Sequence, residues 1–312
     1  MSDDVTTALQ DVVQKVADGA ELGEADWARL IDSPDLIALG MAADAVRRRR
    51  HGDRVTFVQI VEAPLAGHLP ETPLPAQTGE LRVTGCPTSD TAAIEAVRAA
   101  VIRAGAVPVT GFTFADLEQV SGHDPSRLGE LLTALREAGL AQIGEVSAEG
   151  LQDPDAALAV LRASRVTAAR LTLGATTGPA AVSLMRQVAC WPGVGEVCRS
   201  LAPLPRVSPS PPSTGYADLR QVALARLLVD NIESIQVDWT VYGPKLAQVA
   251  LTFGADDLDA VPVVGAEDQG WRRSPGAEIQ RNITGAGFRA ARRNGRFEAL
   301  DVDAGSEHAV GH

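Results

Sequence analysis

Apolar positions in the first fifty residues recur at helical spacing. Leu36, Leu39 and Val46 follow Ser33-Pro34-Asp35, which reads as a cap, a proline at the first helical position and an early acid, and they run up to Arg47-Arg48-Arg49-Arg50. From Val55 onward the pattern changes to short β-rich runs alternating with helical ones. Strands are predicted near 54–61, 80–85, 106–111, 140–144, 166–173, 196–203, 234–241 and 259–264. Helices fit at 90–104, 114–138 in two pieces, 154–163, 178–189, 216–230 and 244–252, with a last one near 276–287. Eight strands alternating with helices predict an α/β protein, a (β/α)8 TIM-type barrel whose right-handed crossovers make the sheet parallel. One connection departs from the pattern. Glu62 to Thr78 carries Pro64, Pro70, Pro73 and Pro75, which remove donors that a helix needs, so the first barrel helix is expected to be replaced by a loop. The organisation expected is an N-terminal helical extension over 1–52, a barrel over 53–290 and a C-terminal tail over 291–312.

Composition narrows the function. The 312 residues suit two average domains or one large barrel, and a hydrophobic fraction of 45% supplies a sizeable core. A net charge of −12 repels phosphate backbones and anionic lipid, so neither nucleic acid nor a membrane surface is expected as a partner. The arginine run is the one basic block; it either complements the dipole at a helix C-terminus, the commoner arrangement, or binds phosphate. No apolar stretch approaches the ~20 residues of a membrane span, and Met1-Ser2-Asp3-Asp4 lacks a basic region followed by an apolar run, so a cytoplasmic protein is expected. Cys86, Cys190 and Cys198 read as reduced thiols, the last two as packing residues.

Candidate chemistry gathers where the strands end, the face on which barrels place their sites. Glu145 and Glu149 lie at and just beyond the fourth strand, and a carboxylate pair there would serve as acid and base if burial split their affinities for the proton. The alternative is a solvated or helix-capping role. Asp238, Thr240 and Tyr242 alternate along the predicted seventh strand, opposite Val237, Trp239 and Val241. Trp239 reads as core or as a stacking platform for an aromatic ligand. Glu62, Thr84, Arg206, Asp238 and Thr240 are the candidate ligand-binding residues, Arg206 through a bidentate contact to a carboxylate. Arg206 stands in a second proline-rich segment, Pro203 to Tyr216. Arg170, within the fifth strand, needs a partner if it points inward. Gly254-Ala255-Asp256-Asp257 reads as a polar turn at the opposite, structural end of the barrel. The five histidines form no metal-ligand spacing, and no nucleophile elbow, Walker loop or dinucleotide fingerprint is present.

A family resemblance enters at the C-terminal end. Asp218 to Ile232, followed by Trp239, Gly243-Pro244-Lys245, Gln248-Val249-Ala250-Leu251 and Phe253-Gly254-Ala255-Asp256-Asp257, resembles two radical-SAM enzymes of menaquinone biosynthesis, aminofutalosine synthase and dehypoxanthine futalosine cyclase. The deazaflavin-forming synthases are more distant cousins. The front end is in register too, through Ser33-Pro34-Asp35-Leu36, Ala42 to Arg49 and Gly52-Asp53-Arg54-Val55-Thr56. The resemblance implies the barrel and an ancestral nucleoside or aromatic substrate. It also implies an iron–sulfur cluster on a C-x3-C-x2-C loop after the first strand, yet Phe57 to Pro64 contains no cysteine or histidine. The expectation is therefore a cluster-free homologue that binds a nucleoside or aromatic precursor without radical chemistry. S-adenosylmethionine would bind by ancestry alone. The alternative is a non-catalytic partner or regulatory subunit of an active paralogue, or a homodimer: the missing helix uncovers the first two strands, which either the N-terminal helices or another chain must cover.

Overall fold

The computed structural model describes residues 2–67, 73–174, 176–205, 215–263 and 275–300. Three helices come first: α1 (Ser2–Asp18), α2 (Glu24–Asp32) and α3 (Leu36–His51). The alternating part follows as β1 (Arg54–Pro64), β2 (Glu80–Thr84), α4 (Asp90–Ala104), β3 (Val109–Thr113), α5 (Phe114–Val120), α6 (Pro125–Glu137), β4 (Leu140–Ser147), α7 (Pro154–Ser164) and β5 (Ala168–Leu173). It continues through α8 (Pro179–Ala189), the one-turn α9 (Val194–Val197), β6 (Ser200–Pro203), α10 (Tyr216–Leu228), β7 (Ser234–Asp238), α11 (Trp239–Leu251) and β8 (Asp257–Pro262). Last come α12 (Pro275–Gly285) and β9 (Arg289–Arg292).

Local signals start these helices where the chain needs them. Asp35, not Ser33, caps α3, accepting from the Ala38 amide at 3.0 Å; Ser89 caps α4 and Asp153 caps α7 ahead of Pro154. In α6, Leu128, Leu131, Leu132 and Leu135 are all buried, a stripe at i, i+3, i+4 and i+7 that faces the barrel. Each such leucine contributes about 1.5–3 kcal/mol on leaving water. Strands β1 to β8 pair in parallel and in order, and β1 closes the ring against both β8 and β2. The barrel expected from the alternation is therefore present, with the N-terminal helices attached through α3, which packs on α10.

Between β1 and β2 the described residues contain no helix. The first two strands are nonetheless covered from within the chain. Val55, Phe57, Leu81 and Val83 are all buried, with Leu65 and Leu74 of the connecting loop against the same core. The lower half of the gap is filled by β9, which pairs in parallel with Arg54–Phe57 while β2 pairs only from Ile60 upward. The seventh strand is shorter than its alternation predicts. It stops at Asp238, whose carboxylate caps α11 through the amides of Thr240 (2.9 Å) and Val241 (3.2 Å), so Thr240 and Tyr242 lie on a helix and share no strand face with Asp238. α11 is itself broken at Gly243, whose φ of 72° and ψ of 159° are open to glycine alone, just before Pro244. Among the described residues no helix is long and apolar enough to cross a membrane.

Candidate functional site

Because strand residues two apart share a face, the pairs Glu80 and Arg82, Arg170 and Thr172, Gln236 and Asp238, and Asp257 and Asp259 turn to one side of their strands. That side is the barrel interior. Thr56 Oγ1 bonds Asp257 at 2.5 Å, so Val58 and Ile60 also face inward, where with Ala260 they form a small apolar cluster separate from the main core. Charge fills the rest. Near the floor, Asp257 takes a bidentate fork from Arg293 at 2.6 and 2.6 Å and accepts from Gln236 Nε2 at 2.7 Å.

One layer higher, at the strand ends, Asp259 accepts from Arg82 Nη2 and Arg170 Nη1, both at 2.8 Å. Arg170 also reaches Glu145 at 3.2 Å and Asp238 at 3.4 Å, while Arg82 Nε holds Glu80 at 2.7 Å and Glu80 accepts from Thr110 Oγ1 at 2.5 Å. Burial alone would push the Asp259 carboxyl up, but the guanidiniums of Arg82 and Arg170 hold it well below the usual carboxylate range. Burial likewise opposes the Arg82 charge, and Asp259 and Glu80 more than restore it. Two arginines here face four carboxylates, and the side chains of Arg170 and Glu145 remain 18% and 25% exposed at the mouth.

The sequence candidates fall into separate places. Glu145 lies inside this network and accepts from Thr172 Oγ1 at 3.1 Å. Glu149 sits on a single 3-10 turn and bonds elsewhere, clamping the loop after β5 through Gly174 N (2.8 Å), Thr176 N (3.3 Å) and Thr176 Oγ1 (2.7 Å). Burial works to raise the Glu149 carboxyl, and the donors of Thr176 and Gly174 outweigh it, leaving the group below its ordinary value. Asp238 joins the network from the cap of α11, and Thr240 Oγ1 donates to it at 2.6 Å. Glu62 is exposed on β1, opposite Arg82 in register, and the Thr84 carbonyl accepts from Leu65 N at 2.9 Å. Arg206 lies outside the described residues. Trp239 is buried in the core, 2% exposed.

Sequence reasoning found the need of Arg170 for partners but missed Glu80, Arg82 and Asp259. The signal was present: charged residues at period two, in Glu80-Leu81-Arg82-Val83 and Asp257-Leu258-Asp259, inside strands otherwise largely apolar. Asp256 and Asp257 are buried ion-pair partners of Arg226 and Arg293 rather than an exposed polar turn. Among the described residues, no three His, Cys, Asp or Glu side chains converge as metal ligands.

Comparison with known proteins bears on this barrel at two levels. Residues 202–305 match the family described as the CofH/MqnC C-terminal region. Aminodeoxyfutalosine synthase of Streptomyces coelicolor is 37% identical over 94 residues, 28% of this chain and 24% of that protein. Cyclic dehypoxanthine futalosine synthase of the same organism is 34% identical over 93 residues, 29% of this chain and 23% of that one. A 5-amino-6-(D-ribitylamino)uracil–L-tyrosine 4-hydroxyphenyl transferase of Methanosphaerula palustris is 52% identical over 46 residues, 15% of this chain and 13% of its own. The matched stretch thus spans no more than about a quarter of these relatives. In three dimensions, methylornithine synthase superposes with a TM-score of 0.62 at 15% identity, over 90% of this chain and 97% of its own. The [FeFe]-hydrogenase maturase HydG gives 0.56 at 14% identity, over 93% and 78%. These two carry the fold alone. Through its C-terminal third, set within a closed parallel barrel, the chain is similar to the radical-SAM enzymes of the menaquinone futalosine pathway.

Proposed function

We propose that this chain is a cluster-free homologue of those enzymes, linked to menaquinone biosynthesis, whose barrel mouth binds a nucleoside or aromatic precursor without radical chemistry. The observation that carries this reading is the convergence of Arg82, Arg170, Glu145, Asp238 and Asp259 at the strand ends, with Arg170 and Glu145 still partly exposed. Carboxylates outnumber cations there, and surplus acceptors suit the hydroxyl and amino donors of a nucleoside. Glu145, at the open side of the network, is the group for a ligand contact or proton transfer, with Glu62 and Thr84 as rim candidates and Arg206 as a further ligand candidate.

The thiol positions support the cluster-free part. A cubane cluster of this kind needs three thiolates in one loop. Cys86 follows β2 at the mouth, where a hydrogen bond to Asp116 and burial raise its thiol. Cys190 ends α8 and Cys198 precedes β6 at the opposite end, and the Cys198 thiol, buried, is pushed up to about 12. This donor set does not fit the cluster.

Anaerobic reconstitution tests that part: the expected product holds no stoichiometric iron and sulfide, and a formed cluster overturns it. A thermal-shift screen of futalosine-type nucleosides and S-adenosylmethionine tests the ligand, since a compound at 100 times its Kd adds about 2.7 kcal/mol. Glu145→Gln should abolish that shift while leaving the unliganded melting temperature close to wild type. A verified ligand bound equally well by Glu145→Gln overturns the site assignment.

A further inference from the structure

A polar cavity lies at the end of the barrel away from the mouth. A cavity of about 330 Å³ opens where α3 ends and where β1, β6, β7 and β8 begin, and its charged walls are Arg50, Arg54, Arg199, Arg293, Glu233 and Asp256, with His51 beside them. The carboxylates and guanidiniums do not cancel. Asp256 is spent on Arg226, on Ser234 Oγ at 2.8 Å and on the Ile235 amide at 2.7 Å; His51 Nε2 stands 3.6 Å from it and 3.3 Å from the Glu233 carbonyl. Arg293 is spent on Asp257. Among the described residues, Arg50 donates to the carbonyls of Asp230 (3.2 Å) and Ile232 (3.5 Å) and to no carboxylate. Arg54 and Arg199 are exposed and bond no carboxylate among the described residues. Three guanidiniums without a carboxylate therefore face one exposed carboxylate, Glu233, in a chain whose net charge is −12.

A second feature points to the same cavity. Phe297 lines it in a left-handed conformation, φ 64°, which costs a residue with a side chain of this size about 1–3 kcal/mol. Asn294 builds the turn, its Oδ1 accepting from the amides of Arg296 (2.8 Å) and Glu298 (3.0 Å). The ring so held lies 3.9 Å from the guanidinium of Arg293, itself paired with Asp257, and 5.9 Å from that of Arg199, an aromatic wall beside the basic side of the cavity.

We propose that this lower cavity is a binding site for a small phosphate-bearing molecule, with Arg54 and Arg199 as the forks on the phosphate oxygens, Arg50 as a supporting cation and Phe297 as a wall for a ring attached to that phosphate. The guanidinium fork matches tetrahedral oxyanions bidentately. The site is independent of the mouth and of the function proposed for it.

Isothermal titration at low ionic strength with pyrophosphate, adenosine monophosphate and adenosine tests it. The expected result is saturable binding of the two phosphates, none of adenosine, and weakening with added salt. Tighter binding of the monophosphate than of pyrophosphate, reversed by Phe297→Leu, identifies a ring-bearing ligand; equal binding identifies the phosphate alone. Arg54→Gln and Arg199→Gln should each weaken binding about tenfold. Arg127→Gln, which removes a surface charge elsewhere, should leave it unchanged. If the glutamine variants fold poorly, Arg54→Lys and Arg199→Lys keep the charge but lose the fork and should still weaken binding. No saturable binding of either phosphate, or binding unaffected by the Arg54 and Arg199 variants, overturns the proposal.

Discussion

Asp259→Asn replaces one oxygen by nitrogen at the centre of the mouth network and asks what that charge does there. Its side chain is 3% exposed and accepts from two arginines at 2.8 Å each. Breaking a buried ion pair from one side costs about 3–5 kcal/mol, because the remaining charge stays buried without its counterion. Here both arginines keep a second partner, Arg82 with Glu80 at 2.7 Å and Arg170 with Glu145 at 3.2 Å. The lower end therefore applies, about 3 kcal/mol. For a chain of 312 residues that is a fall in Tm of about 5 °C by scanning calorimetry. The exposed pair Arg127–Asp90, at 3.3 Å, is the internal control, and its removal by Arg127→Gln should cost less than about 1 kcal/mol. The pH dependence fixes the cause. A carboxyl held below its ordinary value in the fold contributes above the unfolded pKa of about 3.9 and loses that contribution as pH falls through the folded value. The gap between wild type and Asp259→Asn should thus be full at neutral pH and shrink in acid below about pH 4. A variant that melts within about 1 °C of wild type, or a gap that persists undiminished in acid, would refute the network as an electrostatic keystone.

Three further outcomes follow from particular contacts. Glu149→Gln should cost about 1–3 kcal/mol and speed amide exchange at Gly174 and Thr176, since a charged acceptor of three donors is lost; unchanged exchange there contradicts the clamp. Thiol titration of the native protein should count the exposed Cys86 and Cys190 only, with Cys198 appearing after unfolding; three native thiols would contradict its burial. Gly243→Ala meets no atom within 4 Å, so its cost, about 1–3 kcal/mol by denaturant titration, measures backbone strain alone, and a neutral substitution would mean that the break in α11 relaxes.

Much of the architecture was legible because local and tertiary signals agree. Residues 90–104 read as a helix and form one, since Ser89 caps its start and Gly105 ends it with φ 60°. The prolines after Glu62 likewise announce a connection without a helix. The mouth was harder to see. Barrel interiors are ordinarily packed with branched apolar residues, which puts Leu81 and Val83 inside and Glu80 and Arg82 outside, whereas this chain turns the apolar parity toward its helices and the charges inward. Thr240 and Tyr242 read as strand because they alternate with Val237, Trp239 and Val241; Asp238, the last residue of β7, caps the next helix and overrides that propensity. β9, Arg-Ala-Ala-Arg, has neither β-branched nor aromatic residues and is a strand only because the lower edge of β1 needs a partner.

That last strand imposes an order of events on synthesis. β1 takes partners from β8 and β9, more than two hundred residues downstream, and Asp257 on the barrel floor is neutralised by Arg293 from just beyond β9. While the chain is still emerging from the ribosome, the edge of β1 stays open and Asp257 has no cation to meet. Closure is thus a late, long-range step, slow for the same reason that non-local β pairing is slow in general, and the unclosed sheet is the species that a chaperone would have to shield.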